Sequence, residues 1–215
     1  MKGKKIKRGI ERWTAENIEL EGKSFKDISF NWTGASAGVL FNQFKKKVEI
    51  SFPSLDDEQD YSDNIYGKYQ GYALHELGHV WFTTNRPWDK ARKVHGGRIG
   101  RFINGLEDVR IEREVIKSGY VKDAQGIFEH LVHEVLDTDG YVEPDDEKNI
   151  HFMLAIEGRR RSGYAIEPKT ILNDSVYGYE ILNALTKLDR AKNTSQVTQI
   201  AIELQKEIED IEFVS

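Results

Sequence analysis

The run HELGH, His75 to His79, puts two imidazoles and a carboxylate within little more than one helical turn. On a helix, positions 75 and 79 differ by about 40° around the axis, so both rings leave one face and can reach a single metal ion. Glu76 points about 100° from His75 and about 60° from His79, which sets it beside such an ion as a proton acceptor. A zinc ion held by two histidines and one carboxylate keeps a fourth position for water and brings the pKa of that water toward neutrality. H-E-x-x-H is short enough to recur by chance, so its surroundings must decide. Leu74, Leu77 and Trp81 lie on one side of the predicted helix, with Tyr69, Tyr72 and Val80 on the other, the pattern of a buried helix. Imidazoles and a carboxylate are costly there unless something binds them.

A third ligand is expected from a later element, and the richest stretch is NGLEDVRIERE, Asn104 to Glu114. Projected on a helix, Val109, Ile111, Val115 and Ile116 spread over one broad face with Asp108 and Glu112 in its middle. Glu107, Arg110, Arg113 and Glu114 fall on the opposite side. Asp108 is therefore the predicted ligand, and Glu112 the acceptor that orients a ligating imidazole through its other N–H. Glu107 is the rival, because glutamate is the commoner third ligand and a shift of helix phase turns it inward. His95 stands in a glycine-rich stretch without the longer H-E-x-x-H-x-x-G-x-x-H spacing. His130, His133 and Glu134 read as the polar outer face of an amphipathic helix. His151, Tyr164, Tyr177 and Tyr179 are candidate hydrogen-bond donors to a developing oxyanion, and nothing in the sequence selects among them.

These residues must be positioned by an α+β arrangement. SFKDISFNWT and VLFNQFKKKVEISF favour strands, giving a small N-terminal antiparallel sheet, and the alternation of Val48, Ile50 and Phe52 in KVEISF marks a half-buried strand ended by Pro53. A peptide lying extended along an edge strand around Val48 to Phe52 would gain backbone hydrogen bonds. From there the pattern is helical, with helices predicted near Asn64–Phe82, Arg98–Lys117, Asp123–Leu136, Glu147–Arg160, Tyr177–Leu188 and Ser195–Ile211. Asp137 to Asp146 is acidic, contains glycine and proline, and reads as a loop. The expectation is one domain over 1–215, β-rich over 1–62 with a basic N-terminal arm, and helical over 63–215.

At 215 residues the chain suits one substantial core. It is 39% hydrophobic and 31% charged, with no apolar run near the roughly 20 residues of a membrane span. A formal net charge of -5 argues against a dedicated nucleic-acid binder, although Lys2, Lys4, Lys5, Lys7 and Arg8 form a basic cluster. With no cysteine and no secretory signal, a reducing compartment, most simply the cytoplasm, is expected, and any metal must be held by nitrogen and oxygen.

HELGH within ALHELGHVWF resembles the active helix of zincin metallopeptidases, and the downstream helical carboxylate resembles the gluzincin arrangement. The resemblance implies a zincin-like fold, zinc and peptide-bond hydrolysis, with His75 and His79 as ligands, Glu76 as base and the acids of Glu107 to Glu112 as the third-ligand region. Taken with NGLEDVRIERE, the chain is also similar to phage and bacterial metallopeptidase-like proteins and to the T subunit of aerobic cobaltochelatase. In those families a von Willebrand A-type domain commonly follows and an AAA+ ATPase is a frequent partner. Two features depart from the pattern. The gluzincin E-x-x-x-D pairing would put aspartate at position 111, where Ile111 stands, while Asp108 with Glu112 keeps the spacing with the acids exchanged. No D-x-S-x-S motif appears, so the A-type domain is not expected in this chain, which would be a fragment of, or a partner to, something larger. A catalytically silent assembly module on the same fold is the alternative to a peptidase.

Overall fold

A computed structural model describes residues 1–19, 25–42, 45–139, 147–166 and 175–214. The order of elements is α1 (Gly3–Asn17), β1 (Asp27–Gly34), β2 (Gly38–Asn42), β3 (Lys47–Pro53), α2 (Asp63–Phe82), α3 (Asn85–His95), α4 (Gly97–Ser118), α5 (Ala124–Asp139), a 3-10 turn over Glu147–Asn149, α6 (Ile150–Arg161), α7 (Gly178–Leu188) and α8 (Thr194–Val214). The content is α+β, mostly helical with a three-stranded sheet near the N-terminus. None of the described helices is long and apolar enough to cross a membrane. Of the stretch read as an acidic loop, residues 137–139 belong to α5 and 140–146 lie outside the described residues.

The sheet is mixed rather than antiparallel. Its order is β1-β3-β2, with β1 parallel to β3 (Ile28 beside Val48, Phe30 beside Ile50) and β2 antiparallel to it (Val39 beside Ile50, Phe41 beside Val48). The strand expected to offer a free edge, Val48 to Phe52, is therefore the central one, and both its edges are already paired. The reason is visible in its side chains: Val48, Ile50 and Phe52 are all buried, while β1 and β2 are only partly covered. The best-buried strand takes the middle, where both edges are paired.

The basic N-terminal arm is a helix. Ile6, Ile10, Thr14 and Ile18 recur every fourth residue and are buried, so α1 and the turn after it present one apolar stripe. The lysines on its other side meet the acidic segment before α2, in the pairs Lys2–Asp60, Lys4–Glu58 and Lys7–Asp57.

Residue contacts group the chain into two compact units, Met1–Trp81 with Glu114–Asp137 and Phe82–Arg113 with Thr138–Ser215. In the first, aromatic rings join the sheet to α2. Trp32 stacks on Phe52 at 4.7 Å, Tyr69 lies 5.5 Å from Trp32, and the Tyr69 hydroxyl donates to the Pro53 carbonyl at 3.0 Å. α5 comes close to α2 at Gly71, where a Cβ would sit 2.5 Å from that of Leu131. In the second unit α4, α6, α7 and α8 share a core that includes Phe102, Leu106, Leu154, Leu185, Val197 and Leu204. Gly105 lets α4 and α6 nearly touch, since a Cβ there would fall 2.4 Å from the His151 carbonyl oxygen.

Candidate metal centre

α2 buries residues all round its C-terminal half, including Ala73, Leu74, Leu77, Val80 and Trp81, so the polar groups of HELGH have little water of their own. Glu76 and His79 are buried and His75 is half-buried. The two rings meet edge to face with centroids 5.0 Å apart, as positions i and i+4 should. On α4, Asp108 is buried as well. One ligand atom from each of His75, His79 and Asp108 lies within 4.8 Å of the other two, a group that could hold a metal ion. Donors around a tetrahedral zinc at its usual bond lengths stand about 3.4 Å apart, inside that bound. Two imidazoles and one carboxylate suit zinc or another transition metal better than magnesium or calcium, which favour oxygen ligands throughout.

The neighbouring acids are engaged differently. Glu107 is 0% exposed and accepts from Arg110 Nε at 2.8 Å and Nη2 at 2.6 Å, from Thr83 Oγ1 at 2.9 Å and from Thr194 Oγ1 at 2.7 Å. Arg110 Nη2 also donates to the carbonyl of Phe82, the last residue of α2. Glu107 is thus part of a separate polar knot and not of the three-residue group. The projection that put Glu107 and Arg110 on an outer face fails because α4 is buried on every side from Gly105 to Glu112. Glu112 is also buried and accepts from Arg159 Nη2 at 2.6 Å and Nε at 2.9 Å and from the Tyr164 hydroxyl at 3.0 Å. Burial works to lower the pKa of Arg159, but the Glu112 carboxylate beside it, helped by Asp108 and Tyr164, more than offsets this and holds the guanidinium charged.

Two residues near Asp108 were not singled out by the sequence. Asn104, one turn earlier on α4, donates from Nδ2 to Asp108 Oδ2 at 3.0 Å. Such a pair four apart looks the same in sequence as any surface pair. The other is His151 on α6, one of four residues that the sequence left unranked. Burial lowers its pKa, the Lys148 backbone carbonyl raises it, and the charges acting on the ring are Arg101, which lowers it, and Asp108, which raises it. The other three are placed elsewhere: Tyr164 is bound to Glu112, Tyr177 is in the core of the second unit, and Tyr179 is 78% exposed. His95 is exposed at the end of α3, His133 is exposed on α5, and His130 packs on Gly67 with its Nε2 3.1 Å from the Asn64 carbonyl oxygen.

No family model matches this chain, and neither a curated protein nor a solved structure is significantly similar to it.

Proposed function

We propose that this protein is a zinc-dependent peptidase with Glu76 as its general base. The observation that carries the reading is the convergence of His75, His79 and Asp108 within 4.8 Å, with the buried Glu76 on the same helix as the two histidines. When bound, zinc would supply a water of near-neutral pKa and polarise the peptide carbonyl. Burial of Glu76 keeps competing water from its carboxylate, which takes a proton from the attacking water and passes it to the leaving amine. Two histidines and a carboxylate also serve iron(II) oxygenases. What favours hydrolysis is Glu76, since that chemistry has no need of a carboxylate base beside the first histidine. An extended peptide could add to the sheet only along β1 or β2, because β3 is paired on both sides. A nitrogen and oxygen ligand set in a chain without cysteine agrees with the reducing cytoplasm.

The test is Glu76→Gln. Elemental analysis should find zinc in wild type and variant alike, while cleavage of a broad peptide library falls by about 10²–10⁴-fold or more in the variant. Equal inactivity of both proteins, each with metal bound, would favour the silent assembly module acting with an ATPase or larger complex.

A further inference from the structure

Asn104 is exposed and could spend its amide on water, yet it donates to Asp108 Oδ2 at 3.0 Å. Both residues belong to one continuous helix, so the contact is set by the i,i+4 geometry of α4 and needs no tertiary adjustment. A carboxylate can bind a cation through one oxygen or through both. Two-oxygen binding turns both atoms toward the ion, and an amide N–H already seated on Oδ2 competes with that. Ligation through Oδ1 leaves the hydrogen bond intact.

We infer that Asn104 is a positioning residue that holds Asp108 as a one-oxygen ligand and thereby biases the centre toward a small four-coordinate cation. This rests on the metal centre proposed above. Zinc accepts two histidines, one carboxylate oxygen and a water, whereas manganese and calcium favour more oxygen donors and gain from a two-oxygen carboxylate. Groups that orient a ligand from behind typically set metal affinity by 10–100-fold.

The experiment is zinc and manganese titration of the full chain against a chromophoric chelator, for wild type, Asn104→Ala and Asn104→Gln, with the thermal unfolding midpoint of each metal-free protein measured in parallel. In Asn104→Ala, zinc affinity should fall about 10–100-fold and manganese affinity distinctly less, so that the preference for zinc narrows. Asn104→Gln keeps an amide donor within reach and should recover most of the preference. The metal-free midpoints should agree, since position 104 is exposed, and a merely structural pair would move the midpoints instead of the ratio. Unchanged zinc affinity and an unchanged zinc-to-manganese ratio in Asn104→Ala would overturn the inference while leaving the metal centre standing. Failure of wild type to bind either ion would remove the centre and this role together.

Discussion

Glu107 and Arg110 face each other across one turn of α4, joined by hydrogen bonds of 2.6 and 2.8 Å, with Glu107 wholly shielded from solvent. Next to Glu107 in the chain, Asp108 leaves the helix about 100° away. One acid belongs to a group with two histidines that could hold a metal ion, and its neighbour ties an arginine, two threonine hydroxyls and, through the arginine, the Phe82 carbonyl into a single knot.

Removing one side of that knot strands the other. Arg110→Met should destabilise the protein by about 3–5 kcal/mol, because Glu107 is left charged and dry. Adding Glu107→Leu should restore a large part of the loss, as apolar replacements of buried ion pairs often do. Urea unfolding of wild type and both variants decides it. A single variant within about 1 kcal/mol of wild type would show that Glu107 finds water or another cation.

Glycines at close helix approaches should resist a methyl group. Gly105→Ala puts a Cβ 2.4 Å from the backbone oxygen of His151, an atom that cannot rotate away. The crowding costs about 1–3 kcal/mol, against a gain in helix propensity of about 1 kcal/mol. Gly71→Ala meets Leu131 Cβ at 2.5 Å and should behave alike. Gly38→Ala meets nothing within 4 Å and should leave stability unchanged or slightly raised. Equal unfolding midpoints for all three would contradict the packing described above.

Tyr69 links the sheet to α2 and sets an alkaline limit. Burial, with smaller contributions from Tyr72 and Tyr61, pushes its hydroxyl up to about 12. An acid whose folded pKa is raised stabilises fully below its unfolded value, near 10 for tyrosine, and that contribution is lost as pH climbs toward 12. Wild type should therefore lose stability across that interval. Tyr69→Phe, lacking the bond to the Pro53 carbonyl, should start somewhat less stable but decline less steeply. Parallel slopes in denaturant midpoints between pH 10 and 12 would rule this out.

The parts of the candidate centre fixed by local spacing were legible in the sequence. His75, Glu76 and His79 need only one helix, and their placement on α2 follows from the spacing. Asp108 could be singled out by projection, but Glu107 and Arg110 could not be placed inside, because projection assumes that one face of the helix is wet. The order of the sheet was hidden because pairing β1 with β3 joins residues about twenty apart and has no local signature. α1 was obscured by its lysines, which suggest a solvated arm, although the fourfold recurrence of Ile6, Ile10, Thr14 and Ile18 was available to be read. α3 carries a proline near its start and a run of charges, and Ala91 is its one residue counted as buried, so little in its pattern announces a helix.

The central place of β3 leaves β2 as a border of the sheet, and there Leu40 stands 74% exposed. A strand border carrying a bare aliphatic side chain is where partly unfolded copies adhere during refolding or concentration. Lysine at position 40 would be a mild remedy for precipitation, since that leucine is largely exposed.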